Sequence, residues 1–247
     1  MPPRNLPPTL QRNVQTRHVR PKLALVTGAS RGLGLAIATE LAARGFHLIL
    51  AARDQRALTR AASRLPDAEA IACDIRDPQS VAALAAAVGK RRLDVLINNA
   101  GIAGPAAPLA ELSFDEWRNV LDTNLNGTFL VTQSLLPRMR NGGVIVNNLS
   151  IAARSVFPGM GAYSASKRGL LGFTETLREE LRPRGIRVMA LLPGAVDTAI
   201  WQQFWPSAPR RRMIQPATIA HLVAEAVMLS ANVSLDELVV TPSAGAI

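Results

Sequence analysis

The chain has 247 residues, 48% of them apolar, which suits one large α/β domain. Its formal charge is +10, but Arg4, Arg12, Arg17 and Arg20 fall in an acid-free opening of twenty residues, leaving +6 on the rest. No run of ~18 uncharged apolar residues is present, so no membrane span is expected. His18, His47 and His221 are scattered, which argues against a metal site, and the single Cys73 excludes an internal disulfide and fits a reducing, cytoplasmic setting.

Residues 1–20 also carry Pro2, Pro3, Pro7 and Pro8 and lack apolar periodicity, so they read as a disordered basic tail ahead of a single domain over 21–247. The tail has no secretory h-region; its arginine-rich, acid-free character leaves organelle targeting open without favouring it. With four of the excess cations in this tail, nucleic acid is not an expected partner.

From Lys22 onward, apolar runs alternate with Ala-rich helical stretches. The expected strands are Leu23–Thr27, Phe46–Ala51, Ala68–Cys73, Leu93–Ile97, Val144–Leu149, Ile186–Leu192 and Glu237–Val240. The expected helices span about 32–44, 54–65, 77–89, 113–140, 160–182 and 216–230. Asp77 and Ser113 suit N-caps, and Pro78 and Pro216 sit where a missing N–H costs little. Apolar strands separated by helices predict a doubly wound, Rossmann-type parallel sheet of seven strands, covered on both faces, with ligands at the strands' carboxyl ends.

After the first strand comes Thr27-Gly28-Ala29-Ser30-Arg31-Gly32-Leu33-Gly34, a glycine-rich turn that lets backbone N–H groups approach a pyrophosphate at the next helix's N-terminus. The second strand ends Ala51-Ala52-Arg53-Asp54. Arg31 and Arg53 together can bracket a ribose 2′-phosphate, which predicts NADP over NAD by roughly two to four orders of magnitude. Asp54 is either an acid at the ribose position, which would repel that phosphate, or the N-cap of the second helix.

Further along, the only tyrosine, Tyr163, stands one helical turn before Lys167, one of three lysines. A phenol titrates near ~10, and a neighbouring cation lowers that value, so Tyr163 is a candidate general acid/base.

These residues resemble the short-chain dehydrogenase/reductase family over nearly all of the chain from Lys22 to about Pro242. The glycine loop matches the family's Thr-Gly-x3-Gly-x-Gly signature, Asn98-Asn99-Ala100-Gly101 its Asn-Asn-Ala-Gly segment, and Tyr163 with Lys167 its Tyr-x3-Lys pair. Pro193-Gly194 with Thr198 resembles the loop that holds the nicotinamide carboxamide. The resemblance implies a serine, Ser150, and an asparagine, Asn124, as catalytic partners of Tyr163 and Lys167. Ser155, Ser164 and Ser166 are rival hydroxyls that end no strand, and Asn126 competes with Asn124. In the implied roles, Ser150 and Tyr163 hold the substrate oxygen and Tyr163 transfers its proton. Lys167 depresses the tyrosine pKa and binds ribose, and Asn124 keeps a relay water behind Lys167. Asp74 resembles the family's acid near the adenine, and Ile75 joins it in the cofactor set.

Trp201, Phe204 and Trp205 lie in 195–215, a segment expected to form a lid, and Phe157 and Met160 precede Tyr163. Together they predict a pocket for a hydrophobic carbonyl or alcohol. Arg210-Arg211-Arg212 is either a solvated face or a site for an anionic substrate group. The resemblance also implies a homodimer or homotetramer through the fourth and fifth helices; Ala165, Gly169 and Gly172 on the fifth permit close packing between subunits and equally suit packing on its own sheet. The expected activity is NADPH-dependent carbonyl reduction or its reverse. Alternatives are reduction of a 3-oxoacyl thioester and a non-catalytic NADP-binding sensor.

Overall fold

The computed structural model describes residues 21–245; the expected basic tail, 1–20, lies outside the described residues. Seven strands form one parallel sheet: β1 (Leu23–Thr27), β2 (His47–Ala52), β3 (Ala68–Ala72), β4 (Leu93–Asn98), β5 (Met139–Asn148), β6 (Arg187–Pro193) and β7 (Glu237–Val240). Their spatial order is β3-β2-β1-β4-β5-β6-β7. The chain winds outward from β1 to β3, returns, and winds the other way from β4 to β7. The reversal opens a crevice at the carboxyl ends of β1 and β4, where doubly wound sheets bind ligands.

Helices cover both faces. On one side α1 (Gly32–Ala43), α2 (Gln55–Ala62) and α7 (Pro216–Met228) bury Ile37, Leu41, Leu58, Ile219 and Val223 against Val26, Leu48 and Ile97. On the other, α3 (Pro78–Val88), α5 (Gly127–Leu135) and α6 (Gly161–Leu181) bury Leu84, Leu135 and Leu177 against Leu25, Ile49 and Leu96. Because both faces of the central strands are covered, all five residues of β1 are buried and its sequence shows no polar alternation.

The helix ends follow local chemistry. Asp77 accepts a hydrogen bond from the Gln79 amide at the start of α3. Ser113 and Glu116 form a reciprocal capping box at the start of α4 (Phe114–Leu121). Most boundaries fall within three residues of the sequence expectation, and two differ by more. The single helix expected over 113–140 is α4, one π-helical turn at Asp122–Asn126, α5, and a 3₁₀ turn at Leu136–Arg138 around Pro137. Strand β5 starts at Met139, earlier than Val144, because Met139 pairs with Leu93 before an irregularity in register.

Candidate active site

The crevice is a cleft of about 1770 Å³ running from the end of β3 to the segment after β6. At its floor, two glycines have no substitute. Gly28 has φ of +65°, and a Cβ there would stand 2.8 Å from the Ala100 Cα. A Cβ on Gly34 would meet the Asn99 Nδ2 at 2.3 Å and the Gly28 carbonyl oxygen at 2.5 Å. The glycine loop and the segment after β4 are thus pressed together, with Asn99 Nδ2 donating to the carbonyls of Thr27 (3.0 Å) and Gly28 (3.4 Å). The N-terminus of α1 opens onto the cleft beside Gly32 and Leu33, leaving amide donors for an anion.

Most of the expected cofactor residues line this cleft: Gly28, Ser30, Arg31, Gly32, Leu33, Gly34, Arg53, Asp74, Ile75, Ala100, Gly101, Pro193, Gly194 and Thr198. Thr27 and Asn98 lie outside that lining. The Thr27 hydroxyl is buried, accepting from the Asn99 and Ala100 amides. Asn98 points into the sheet's far side and donates to Thr132 Oγ1 and Asn147 Oδ1, both at 2.9 Å. Each shapes the cleft from behind. The alternation of side chains along β4 explains why Asn99, one residue on, faces the crevice instead.

At the adenosine end, the ambiguity over Asp54 resolves: its carboxylate accepts from the Ala57 amide at 2.9 Å and caps α2. Arg31 and Arg53 are exposed at the cleft, and their side chains have no hydrogen-bond or ion-pair partner among the described residues. The sequence reading missed Arg76, whose guanidinium also lines the cleft but is committed to Asp74 and Asn119.

The proton-transfer set comes together from three elements. Ser150 follows β5 and caps a 3₁₀ turn over Ile151–Ala153, accepting from the Ala152 amide at 3.1 Å. Tyr163 and Lys167 share the buried side of α6, with the Lys167 Nζ 5.6 Å from the centre of the tyrosine ring. Lys167 is 4% exposed and donates to the Asn148 carbonyl at 2.7 Å.

Asn124 sits in the π-helical turn and is buried. Its Oδ1 accepts from the Ile102 amide at 2.9 Å, and its Nδ2 donates to the Ile102 carbonyl at 2.8 Å and to Ser166 Oγ at 3.0 Å. Ser166 in turn donates to the Tyr163 carbonyl at 2.7 Å. The extra residue of a π turn re-aims this amide toward the site, a recurrent use of that distortion. A Cβ on Gly101 would lie 3.1 Å from Asn124 Oδ1 and 3.7 Å from Lys167 Nζ, so both groups border the same small space.

Electrostatics depart from the sequence expectation. Burial pushes the Tyr163 phenol above its usual value, with the Ser150 hydroxyl pulling the other way. Burial also lowers Lys167 to about 7. The expected depression of the phenol by Lys167 is therefore not found. Near neutrality the lysine itself is only partly charged, and desolvation dominates both groups.

At the other end of the cleft, Phe157, Met160, Trp201, Phe204 and Trp205 all contribute to the wall. Trp201 anchors the lid: its indole N–H donates to the Val196 carbonyl at 2.8 Å, and its ring meets Phe204 at 5.0 Å and Trp205 at 6.0 Å. Gln203 latches the lid to the opposite loop by accepting from the Ala103 amide at 3.1 Å. Arg210–Arg212 form a 3₁₀ turn outside the cleft lining, and Arg210 pairs with Asp197.

A doubly wound sheet, a glycine-lined anion site and a Ser-Tyr-Lys set in one cleft define an oxidoreductase of the dinucleotide-binding type. The family model for short chain dehydrogenase matches residues 22–208, and the chain belongs to that family. The ketoacyl reductase named for the monensin polyketide synthase of Streptomyces virginiae is 41% identical over 192 residues, covering 74% of this chain and 73% of its own. A variant of the actinorhodin polyketide ketoreductase, solved with NADPH, superposes with a TM-score of 0.81 at 34% identity, covering 90% of this chain and 96% of that one. The 3-ketoacyl-(acyl-carrier-protein) reductase of Brucella melitensis, complexed with NADH, gives a TM-score of 0.80 at 30% identity, with 90% and 97% covered.

Proposed function

We propose that this protein catalyses reversible hydride transfer between NADPH and a hydrophobic carbonyl compound, giving a secondary alcohol. The observation that carries the reading is the convergence of Ser150, Tyr163 and Lys167 on a cleft whose opposite end holds two guanidinium groups with no hydrogen-bond or ion-pair partner among the described residues. When bound, the dinucleotide supplies the hydride. The amide-lined α1 N-terminus and glycine loop would hold its pyrophosphate, Lys167 its nicotinamide ribose, and Arg31 with Arg53 its 2′-phosphate.

In this reading the Ser150 and Tyr163 hydroxyls hold the substrate oxygen, where negative charge develops during reduction. Tyr163 then donates its proton to that oxygen. The phenol holds its proton at neutral pH, as donation requires. The burial that raises its pKa makes it a weaker acid, so transfer draws on the negative charge that develops on the substrate oxygen. Asn124 fixes the Ile102 loop and, through Ser166, the turn bearing Tyr163. Both protons of its amide are used, so the relay water expected behind Lys167 would be held by the remaining Oδ1 lone pair beside Gly101.

The NADP preference rests on the arginine pair and on the NADPH-bound ketoreductase relative; the NADH-bound relative makes direct titration of both cofactors necessary. A second reading, reduction of a 3-oxoacyl thioester, draws on the names of the ketoacyl reductases among the relatives. Self-association as a homodimer or homotetramer through α5 and α6 is also proposed. Phe129 is 43% exposed beside Phe173, and a Cβ on Gly172 would meet nothing within 4 Å. A cytoplasmic setting fits the free, buried Cys73.

The test is NADPH oxidation across ketones, aldehydes, quinones and 3-oxoacyl thioesters, with NADH in parallel. Turnover of any carbonyl class with NADPH favoured supports the reading, and thioester preference selects the second form. Cofactor binding with no turnover of any class would make the protein a non-catalytic sensor instead.

A further inference from the structure

Resting on the NADP reading above, we propose that Arg76 sets the preference for the phosphorylated dinucleotide by neutralising Asp74, without itself touching the phosphate. Strands β2 and β3 end side by side, with the Cys73 amide donating to the Ala52 carbonyl at 2.9 Å. Arg53 and Asp74 therefore leave adjacent strand ends together, and the Arg53 charge acts on the Asp74 carboxylate. An unscreened carboxylate there would repel the same 2′-phosphate that Arg31 and Arg53 attract.

Arg76 removes that conflict. Its Nε donates to Asp74 Oδ1 at 3.0 Å and Oδ2 at 3.2 Å, its Nη2 to Oδ2 at 2.7 Å, and its backbone amide to Oδ1 at 3.1 Å. The remaining Nη1 donates to Asn119 Oδ1 at 2.8 Å, which ties the fork to α4. Every guanidinium nitrogen is thus engaged, so this arginine is a counter-charge fixed in place rather than an anion ligand. Arg31 and Arg53 are the opposite case, with no hydrogen-bond or ion-pair partner among the described residues. The Asp74 carboxyl is held below its usual range, first by the Arg76 hydrogen bonds. It therefore stays charged at neutral pH, and Arg76 is the cation that pairs with it directly. Three guanidinium groups face two carboxylates at this end of the cleft, and Asp54 is spent as an N-cap. Removing Arg76 leaves Asp74 exposed to the phosphate while sparing both direct ligands.

The experiment is fluorescence titration of NADPH and NADH, each at low and high salt, on wild type, Arg76→Gln, Arg76→Lys and the double variant Asp74→Asn/Arg76→Gln. Arg76→Gln is expected to weaken NADPH about five- to tenfold with NADH changed less than about twofold, and the loss should shrink in high salt. Arg76→Lys should keep most of the preference. The double variant, which removes the exposed carboxylate, should return the NADPH-to-NADH ratio to the wild-type value. Equal weakening of both cofactors, or no recovery in the double variant, overturns the proposal, because Arg76 would then only brace the loop. Wild type binding NADH as tightly as NADPH would overturn the NADP reading itself. If Arg76→Gln fails to fold, the Arg76→Lys ratio and the double variant still decide the matter.

Discussion

Gly34→Ala should disable the cofactor cleft from a position that need not touch the cofactor. The added Cβ would stand 2.3 Å from Asn99 Nδ2 and 2.5 Å from the Gly28 carbonyl oxygen. One of these atoms is backbone. The other belongs to a side chain that holds Thr27 and Gly28 and accepts from Asn148 at 3.0 Å. Overpacking of this kind costs about 1–3 kcal/mol. Displacing the Asn99 amide loses one or two hydrogen bonds at about 1 kcal/mol each. The better helix propensity of alanine returns at most about 1 kcal/mol. The net expectation is about 1–4 kcal/mol of lost stability, together with NADPH affinity reduced well beyond tenfold as the loop shifts. Urea unfolding and a cofactor titration measure the two effects. Gly161→Ala at the exposed start of α6 is the control: with nothing within 4 Å of its Cβ, it should be neutral or slightly stabilising. A Gly34→Ala protein with wild-type stability and normal NADPH binding would refute the close approach of the two loops.

Three further expectations follow from the same geometry. Lys167, pushed down to about 7 by burial, binds fewer protons folded than unfolded between pH 7 and its ordinary value. Its contribution to stability should therefore rise with pH across that window and fall as pH drops toward 7. Lys167→Met, which cannot titrate, should lack this rise, and parallel pH profiles for the two proteins in urea unfolding would contradict it. Arg53→Ala should weaken NADPH about 10- to 100-fold while leaving NADH nearly unchanged, as read by titration of each cofactor. Phe129→Asp, which places a charge on the exposed ring position beside Phe173, should lower the assembled mass in light scattering if α5 and α6 form the proposed interface.

The sheet was legible because buried parallel strands are apolar without alternation, so β1 falls where the residues alone place it; β7 does too, although it is only partly buried at the sheet's edge. The break in the helix over 113–140 was hidden. Apolar spacing near 3.6 cannot register the single extra residue of the π turn that aims Asn124. The start of β5 was hidden too, since Arg140, Asn141, Gly142 and Gly143 look like a turn and gain strand character only beside β4.

At the site, motif order placed Ser150, Tyr163 and Lys167 correctly in one cleft. It could not separate Asn98 from Asn99, whose roles are set by the side of β4 each faces. It also could not foresee that burial would dominate both the phenol and the lysine. Arg76 left one trace, a cation two residues after an acid at a strand end, and only the fork to Asp74 gives that trace meaning. Asn148 was similarly detectable as a polar residue closing an apolar strand. Its amide joins Asn99, and its carbonyl holds Lys167.

The central claim is that Tyr163 delivers the proton during carbonyl reduction. Steady-state NADPH oxidation with the best carbonyl substrate, measured for wild type and Tyr163→Phe alongside NADPH affinity, tests it most directly. The account predicts turnover reduced by about a thousandfold or more with NADPH binding within a few-fold of wild type. Turnover close to that of wild type in Tyr163→Phe would contradict it.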